Sequence, residues 1–280
     1  MNNTTTTTKF SLAHRLGAWW ARHREPSRRE ALRRRCPPAT IAAAQIPPNV
    51  RAAWAHHAPA EFPGLATDDG AWLRCSLGLA QFFEVCRLQK EQGPCALPSK
   101  AADSVWHVWL KLDPVGLAAW QQRYFGRVVE HRENAALGAS VEDCMARAWS
   151  GACRSEGLEL LGPKLPLLFA LDGLLRLPTG WAYGYQKGTL AHRQIDGFGR
   201  PSGDVVMHAA IGGASLVALG LMTQSELNAA VRRRQSDSGS SCGSSWSDGG
   251  SSDCSSDGGG SDGGSSCGSS CGSSCGGGGD

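Results

Sequence analysis

The 280-residue chain carries 28 Lys and Arg against 25 Asp and Glu, a net charge of +3, and 41% of its residues are hydrophobic. That is enough length and apolar content for a core that needs no cross-links. Its eleven cysteines do not form the regular framework of a small disulfide-stapled protein, because five fall beyond Ser236 and the other six scatter at irregular intervals.

Residues 1–8 are polar and no apolar stretch with a small-residue cleavage site follows, so a cytoplasmic chain with free thiols is expected. Charge is uneven along the sequence. Residues 236–280 hold six Asp and no Lys or Arg, which leaves 28 basic against 19 acidic residues, or +9, on the remainder. Three regions are expected on composition: a basic, partly amphipathic helical segment at 1–60, a helical core at 61–235 and a disordered Gly, Ser, Asp and Cys tail at 236–280.

Within residues 10–35, Leu12, Leu16, Trp19 and Trp20 recur at near-helical spacing, and Arg15, Arg22, Arg24, Arg28, Arg29, Arg33, Arg34 and Arg35 supply a basic surface. Such a helix suits anionic lipid or nucleic-acid phosphates, or it docks its Trp residues on its own domain while the charges face water. Pro37-Pro38 and Pro47-Pro48 each open a short helix, since proline fits a first turn. The second carries Val50 and Trp54.

Asp68 and Asp69 then start a helix in which Trp72, Cys75, Leu79, Phe82, Phe83 and Cys86 recur at three- and four-residue steps. Cys75 and Cys86 are read as small buried hydrophobes. Ser99 caps a helix through Val105, Trp106, Trp109 and Leu110, and Asp113-Pro114 ends it and starts another that stops at Gly126. So short a turn implies a helix corner or hairpin. Ser140 with Asp143 reads as a capping box before Met145, Ala148, Trp149 and Ala152, and Thr223 with Glu226 reads as another.

Between them, prolines at 163, 166 and 178 keep the leucine-rich residues 165–177 short. Strand signals are weak, with no convincing period-two run, so the fold class expected is all-α or nearly so, with at most a few short strands around residues 180–185. Residues 205–222 approach the length of a bilayer span and are followed by Arg232, Arg233 and Arg234. His208, Gly212, Gly213 and Gly220 interrupt them, so a buried helix or helix pair is expected there rather than a transmembrane span.

One local group carries chemistry. Asp103 and His107 lie four residues apart on one helical face, and a fold-back of the next helix would bring His131 to them. Together they would offer three nitrogen or oxygen ligands to zinc or another divalent ion, or a general acid-base set. The competing reading is that Asp103 hydrogen-bonds His107 to lock a helix corner.

In the tail, Cys267, Cys271 and Cys275 repeat every four residues, with Cys242 and Cys254 upstream, as soft thiolates able to hold zinc or Cu(I). The same thiols also fit a solubilising linker.

Leu97-Pro98-Ser99, Asp103-Ser104-Val105-Trp106-His107, Asp113-Pro114, Tyr124-Phe125-Gly126 and His131 resemble the pattern of the glycine-rich domain-containing proteins of plants and their uncharacterised bacterial relatives. The likeness continues in the bacterial manner through Trp149, Ala152-Cys153, Glu156-Gly157, Leu165-Pro166, Leu168-Phe169-Ala170-Leu171-Asp172 and Gly180. This resemblance implies a helical domain with no established catalytic residue, and, for the plant members, links to development, stress responses and RNA. The chain departs from that pattern at Val108-Trp109 and at Glu130.

The leading expectation is a non-enzymatic binding or interaction protein with an unidentified protein partner and a metal-binding thiol tail. A metal-dependent enzyme using Asp103, His107 and His131, and nucleic-acid or membrane-surface binding through residues 10–35, are the alternatives.

Overall fold

The computed structural model describes residue 34 and residues 36–132, 138–186 and 189–236. The basic segment at 10–35, apart from Arg34, and the tail thiols Cys242, Cys254, Cys267, Cys271 and Cys275 lie outside the described residues.

The elements run α1 (Pro37–Ala43), α2 (Pro48–Glu61), α3 (Asp69–Leu88), α4 (Lys100–Leu112), α5 (Pro114–Phe125), α6 (Val141–Ser155) and α7 (Leu167–Leu175), then β1 (Trp181–Gln186), β2 (Thr189–Ile195) and β3 (Pro201–Met207). A 3-10 turn (Ala209–Ile211), α8 (Gly213–Ala218) and α9 (Gln224–Ser236) complete the order.

The helix starts follow the capping chemistry read from the residues. Asp68 Oδ1 accepts from Ala71 N, Ser99 Oγ from Ala102 N, Asp113 Oδ1 from Gly116 N and Ser140 Oγ from Asp143 N. Each satisfies a backbone donor that has no partner inside its helix. Thr223 and Glu226 exchange hydrogen bonds as a capping box. Gly126, in the left-handed region at φ 68°, ends α5.

α3 is the centre of the molecule and packs against α1, α4, α6 and α7. Every residue from Cys75 to Cys86 is buried, so the three- and four-residue stripe seen in the sequence is only part of a helix buried all round. Gly78 lets α7 approach it: a Cβ there would sit 2.6 Å from Leu171 Cδ2. Its buried amide Gln81 is satisfied by α6 and α7, giving Nε2 to Glu156 Oε1 at 2.7 Å and accepting from Leu168 N at 3.0 Å. One contiguous cluster of buried residues runs from Cys36 to Met222, so α1 and α2 share a core with the helices that follow.

The body is mainly helical but not all-α. β1, β2 and β3 form an antiparallel sheet in that order, pairing Tyr183 with His192 and His192 with Val206. Residues 205–222, expected as helix, instead finish β3, pass through the 3-10 turn and only then form the six-residue α8. The backbone extends there because Val206 and Met207 pair with β2 and the glycines at 212 and 213 disfavour a continuous helix. Pro201, which lacks an N–H to donate, opens the edge strand β3. No helix among the described residues is long and apolar enough to cross a membrane.

Sheet and helices are joined at Asp172 in α7, which is 1% exposed. Its carboxylate accepts from Ser99 Oγ (2.6 Å), Lys100 N (3.1 Å), Ala101 N (3.0 Å) and Trp181 N (3.1 Å). Burial pushes this carboxyl up from its ordinary range against the pull of those four donors.

On the sheet, His192 Nδ1 and buried His208 Nε2 are 2.8 Å apart, with Glu142 Oε1 3.4 Å from His208 Nδ1. Burial, followed by repulsion from His208, lowers His192 to about 4 despite the carboxylate of Glu142. Burial lowers His208 as well.

Two stability tests follow from these contacts. Asp172→Ala should lower the unfolding free energy by about 3 kcal/mol or more, because it strands two buried donors, Ser99 Oγ and Ala101 N, and two partly buried ones, Lys100 N and Trp181 N. Asp172→Asn, which keeps one acceptor, should cost less in the same urea titration. Because His192 binds its proton more readily in the unfolded chain than in the folded one, acidification from pH 6.5 to about 4 should favour unfolding. Melting temperature should therefore fall across that interval, and His192→Gln should flatten the fall.

Candidate functional site

α4 places Asp103 and His107 one turn apart on the same face, with His107 Nε2 3.3 Å from Asp103 Oδ2. Trp106, between them in sequence, is buried against Phe82 and Phe83. The helix is held at its N-terminus by Ser99 and Asp172 and along its length by α2, where Trp54 Nε1 donates to Ser104 Oγ at 2.8 Å.

His131 arrives from the segment after α5. Gly126 turns the chain, Val129 N donates to Gln121 Oε1 at 2.7 Å, and Arg127 Nη1 donates to the Cys86 carbonyl at the end of α3 at 3.2 Å. These tethers bring His131 Nε2 to 3.0 Å from Asp103 Oδ1 and 3.0 Å from His107 Nε2. The Trp106 ring meets the His131 ring edge-on at 4.6 Å.

The structure thus brings together the three residues singled out by spacing, with one ligand atom from each lying within 4.8 Å of the others. Their side chains are about a quarter exposed, at 26%, 23% and 25% for Asp103, His107 and His131. Hydrogen bonding to Asp103 raises His131 above its ordinary value, although burial works the other way.

A fourth residue was not foreseen. Glu61, the last residue of α2, meets His107 Nδ1 through Oε1 and accepts from Lys111 Nζ at 3.0 Å through Oε2. A carboxylate only accepts, so His107 Nδ1 is the donor to Glu61, and its Nε2 faces Asp103 and His131. Burial works to raise Glu61, but the hydrogen bonds from Lys111 and His107 outweigh it and hold the carboxyl below its ordinary value. Glu61 lies 46 positions before His107, and no local spacing connects them; only the packing of α2 on α4 does.

The group lies on the wall of a cleft of about 850 Å³, which Phe82, Trp106, Cys86 and Arg127 also line. The six cysteines of the described region are all free and buried. Burial pushes the Cys75 and Cys153 thiols up, and for Cys75 this agrees with its reading as a small buried hydrophobe.

Neither the curated proteins nor the solved structures include a match to this chain. One family model does match, over residues 44–204. That span contains Glu61, Asp103, His107, His131 and Asp172 and leaves out the basic segment and the cysteine tail. Because it covers more than half of the chain, the protein belongs to the UCP032817-like family.

Proposed function

We propose that this protein binds a divalent first-row metal ion, zinc foremost, through Asp103, His107 and His131, and offers the ion's remaining coordination positions to a ligand in the adjoining cleft. The observation that carries this reading is the convergence of three ligand atoms within 4.8 Å with the outer nitrogen of His107 given to Glu61. Ligating histidines characteristically hand their second nitrogen to a carboxylate, which fixes the ring and raises its basicity.

The spacing suits an ion. Bonds of ~2.0–2.1 Å put neighbouring ligand atoms ~3.0 Å apart in octahedral and ~3.3 Å apart in tetrahedral geometry. Here the two histidine nitrogens are 3.0 Å apart, and each has one oxygen of Asp103 near it, Oδ1 at 3.0 Å from His131 and Oδ2 at 3.3 Å from His107.

Three protein ligands of nitrogen and oxygen, rather than four of sulfur, are the mark of a site that keeps a position open. Such an ion can polarise a bound ligand or ionise a bound water. On this reading the helical core, and not only the tail, is chemically active. The likeness to the glycine-rich domain-containing proteins belongs to the same proposal, since Asp103, Trp106, His107 and His131 are among the motif residues that carry it.

Metal content of the purified, reduced full chain tests the assignment. His107→Ala and His131→Ala should each lose about one equivalent of zinc per chain, the stoichiometry of a single three-ligand site. Replacing Cys242, Cys254, Cys267, Cys271 and Cys275 with Ser should leave that equivalent in place. The opposite pattern, with zinc lost from the serine variant and retained in both histidine variants, would move the site to the tail and sink the proposal. Glu61→Gln should weaken zinc binding by about 10- to 100-fold, the usual cost of removing a carboxylate that orients a ligating histidine, and competition with a chromophoric chelator reads it directly.

A further inference from the structure

The cleft beside the Asp103, His107 and His131 site is unevenly charged. Of its two lining carboxylates, Asp103 faces the histidines, and Glu130 is engaged by Arg132, whose Nε and Nη2 lie 3.0 and 2.6 Å from Glu130 Oε2. Lys90 and Arg127 line the same cleft, and neither is paired with a carboxylate among the described residues. Arg127 is half-buried and anchored through Nη1 to the Cys86 carbonyl. That carbonyl belongs to the negative end of the α3 dipole and holds the guanidinium in place without neutralising it.

We infer that the cleft takes a small molecule with an oxyanionic head, a carboxylate or phosphate, gripped by Arg127 while one of its oxygens completes the coordination of the ion. This inference rests on the metal reading above. A guanidinium presents a planar fork of donors that matches two oxygens of a carboxylate or phosphate, and a half-desolvated fork without a counter-ion gains most from one. Lys90, exposed at the rim, adds a steering charge.

The size of the ligand follows from the space. A cleft of about 850 Å³ falls in the range of ~300–1,000 Å³ that encloses small molecules. Phe82 and Trp106 form an apolar wall for the body of the ligand, so an anionic head on an apolar or aromatic body is the chemistry that fits.

The test uses the full chain loaded with Co2+ and follows its visible absorption during titration with benzoate and, separately, phenyl phosphate, with benzyl alcohol as the uncharged control. A saturable spectral change is expected with at least one anion and not with the alcohol, and the tighter anion names the head group. Arg127→Met should weaken that anion at least tenfold, and by more than it weakens cobalt, whose affinity reports the lost tether to the Cys86 carbonyl.

Cobalt-loaded protein that gives no spectral response to either anion overturns the inference, as does an Arg127→Met variant that binds the anion as tightly as the parent. Should Arg127→Met also lose cobalt, Lys90→Met decides. Lys90 is exposed and takes no part in the hydrogen bonds among Asp103, His107 and His131, so its loss should weaken the anion severalfold with cobalt affinity intact, and an unchanged anion affinity counts against the inference. A chain that takes up no cobalt refutes the metal reading and this inference with it.

Discussion

The buried carboxylate of Asp172 is the contact from which the rest of the architecture takes its geometry. It receives the hydroxyl of Ser99 and the amides of Lys100, Ala101 and Trp181, so a single side chain of α7 fixes both the first turn of α4 and the entry to β1. A carboxylate at a helix N-terminus is favoured by the orphan amides and by the dipole. Here it comes from another helix, and it converts a local preference into a tertiary joint. Asp103 lies one turn beyond that joint and His107 one turn further, so the position of the candidate site is inherited from it.

The site is assembled by packing from three directions. α2 supplies Glu61, α4 supplies Asp103 and His107, and the segment after α5 supplies His131. α2 is pinned to α4 by Trp54 and Ser104, and the His131 segment is pinned to α5 and α3 by Gln121 and the Cys86 carbonyl. Each tether is a hydrogen bond made in a buried or partly buried position, where leaving a donor unpaired is costly. The polar atoms of the site are therefore held by groups that take no part in it, which is the condition for a preorganised constellation.

Much of the helical framework was legible because helix starts carry local signals. Asp68, Ser99, Asp113, Ser140 and Thr223 all cap the helices that their spacing indicated, and each does so through a partner three positions away in sequence. Of the sheet, only β1 was legible, as the short strands expected around residues 180–185. In β1 the more deeply buried positions are Ala182 and Gly184, too small to register as a hydrophobic alternation, although Trp181, Tyr183 and Tyr185 between them are good strand formers. In β3, Ser202, Gly203 and Asp204 are poor strand residues, and the strand exists because β2 offers it an edge to pair with.

The sequence alone determined what lies within one helical turn: the caps, the Gly126 stop, and the placement of Asp103 and His107 on one face. Tertiary structure alone decided that Glu61 orients His107, that Arg127 and Lys90 share the cleft, and that residues 201–207 extend rather than coil. The division has a physical cause. A helix turn is closed by groups three or four residues apart, whereas a carboxylate 46 positions from its histidine, or a strand with little apolar pattern of its own, finds its partner only when the whole core has packed.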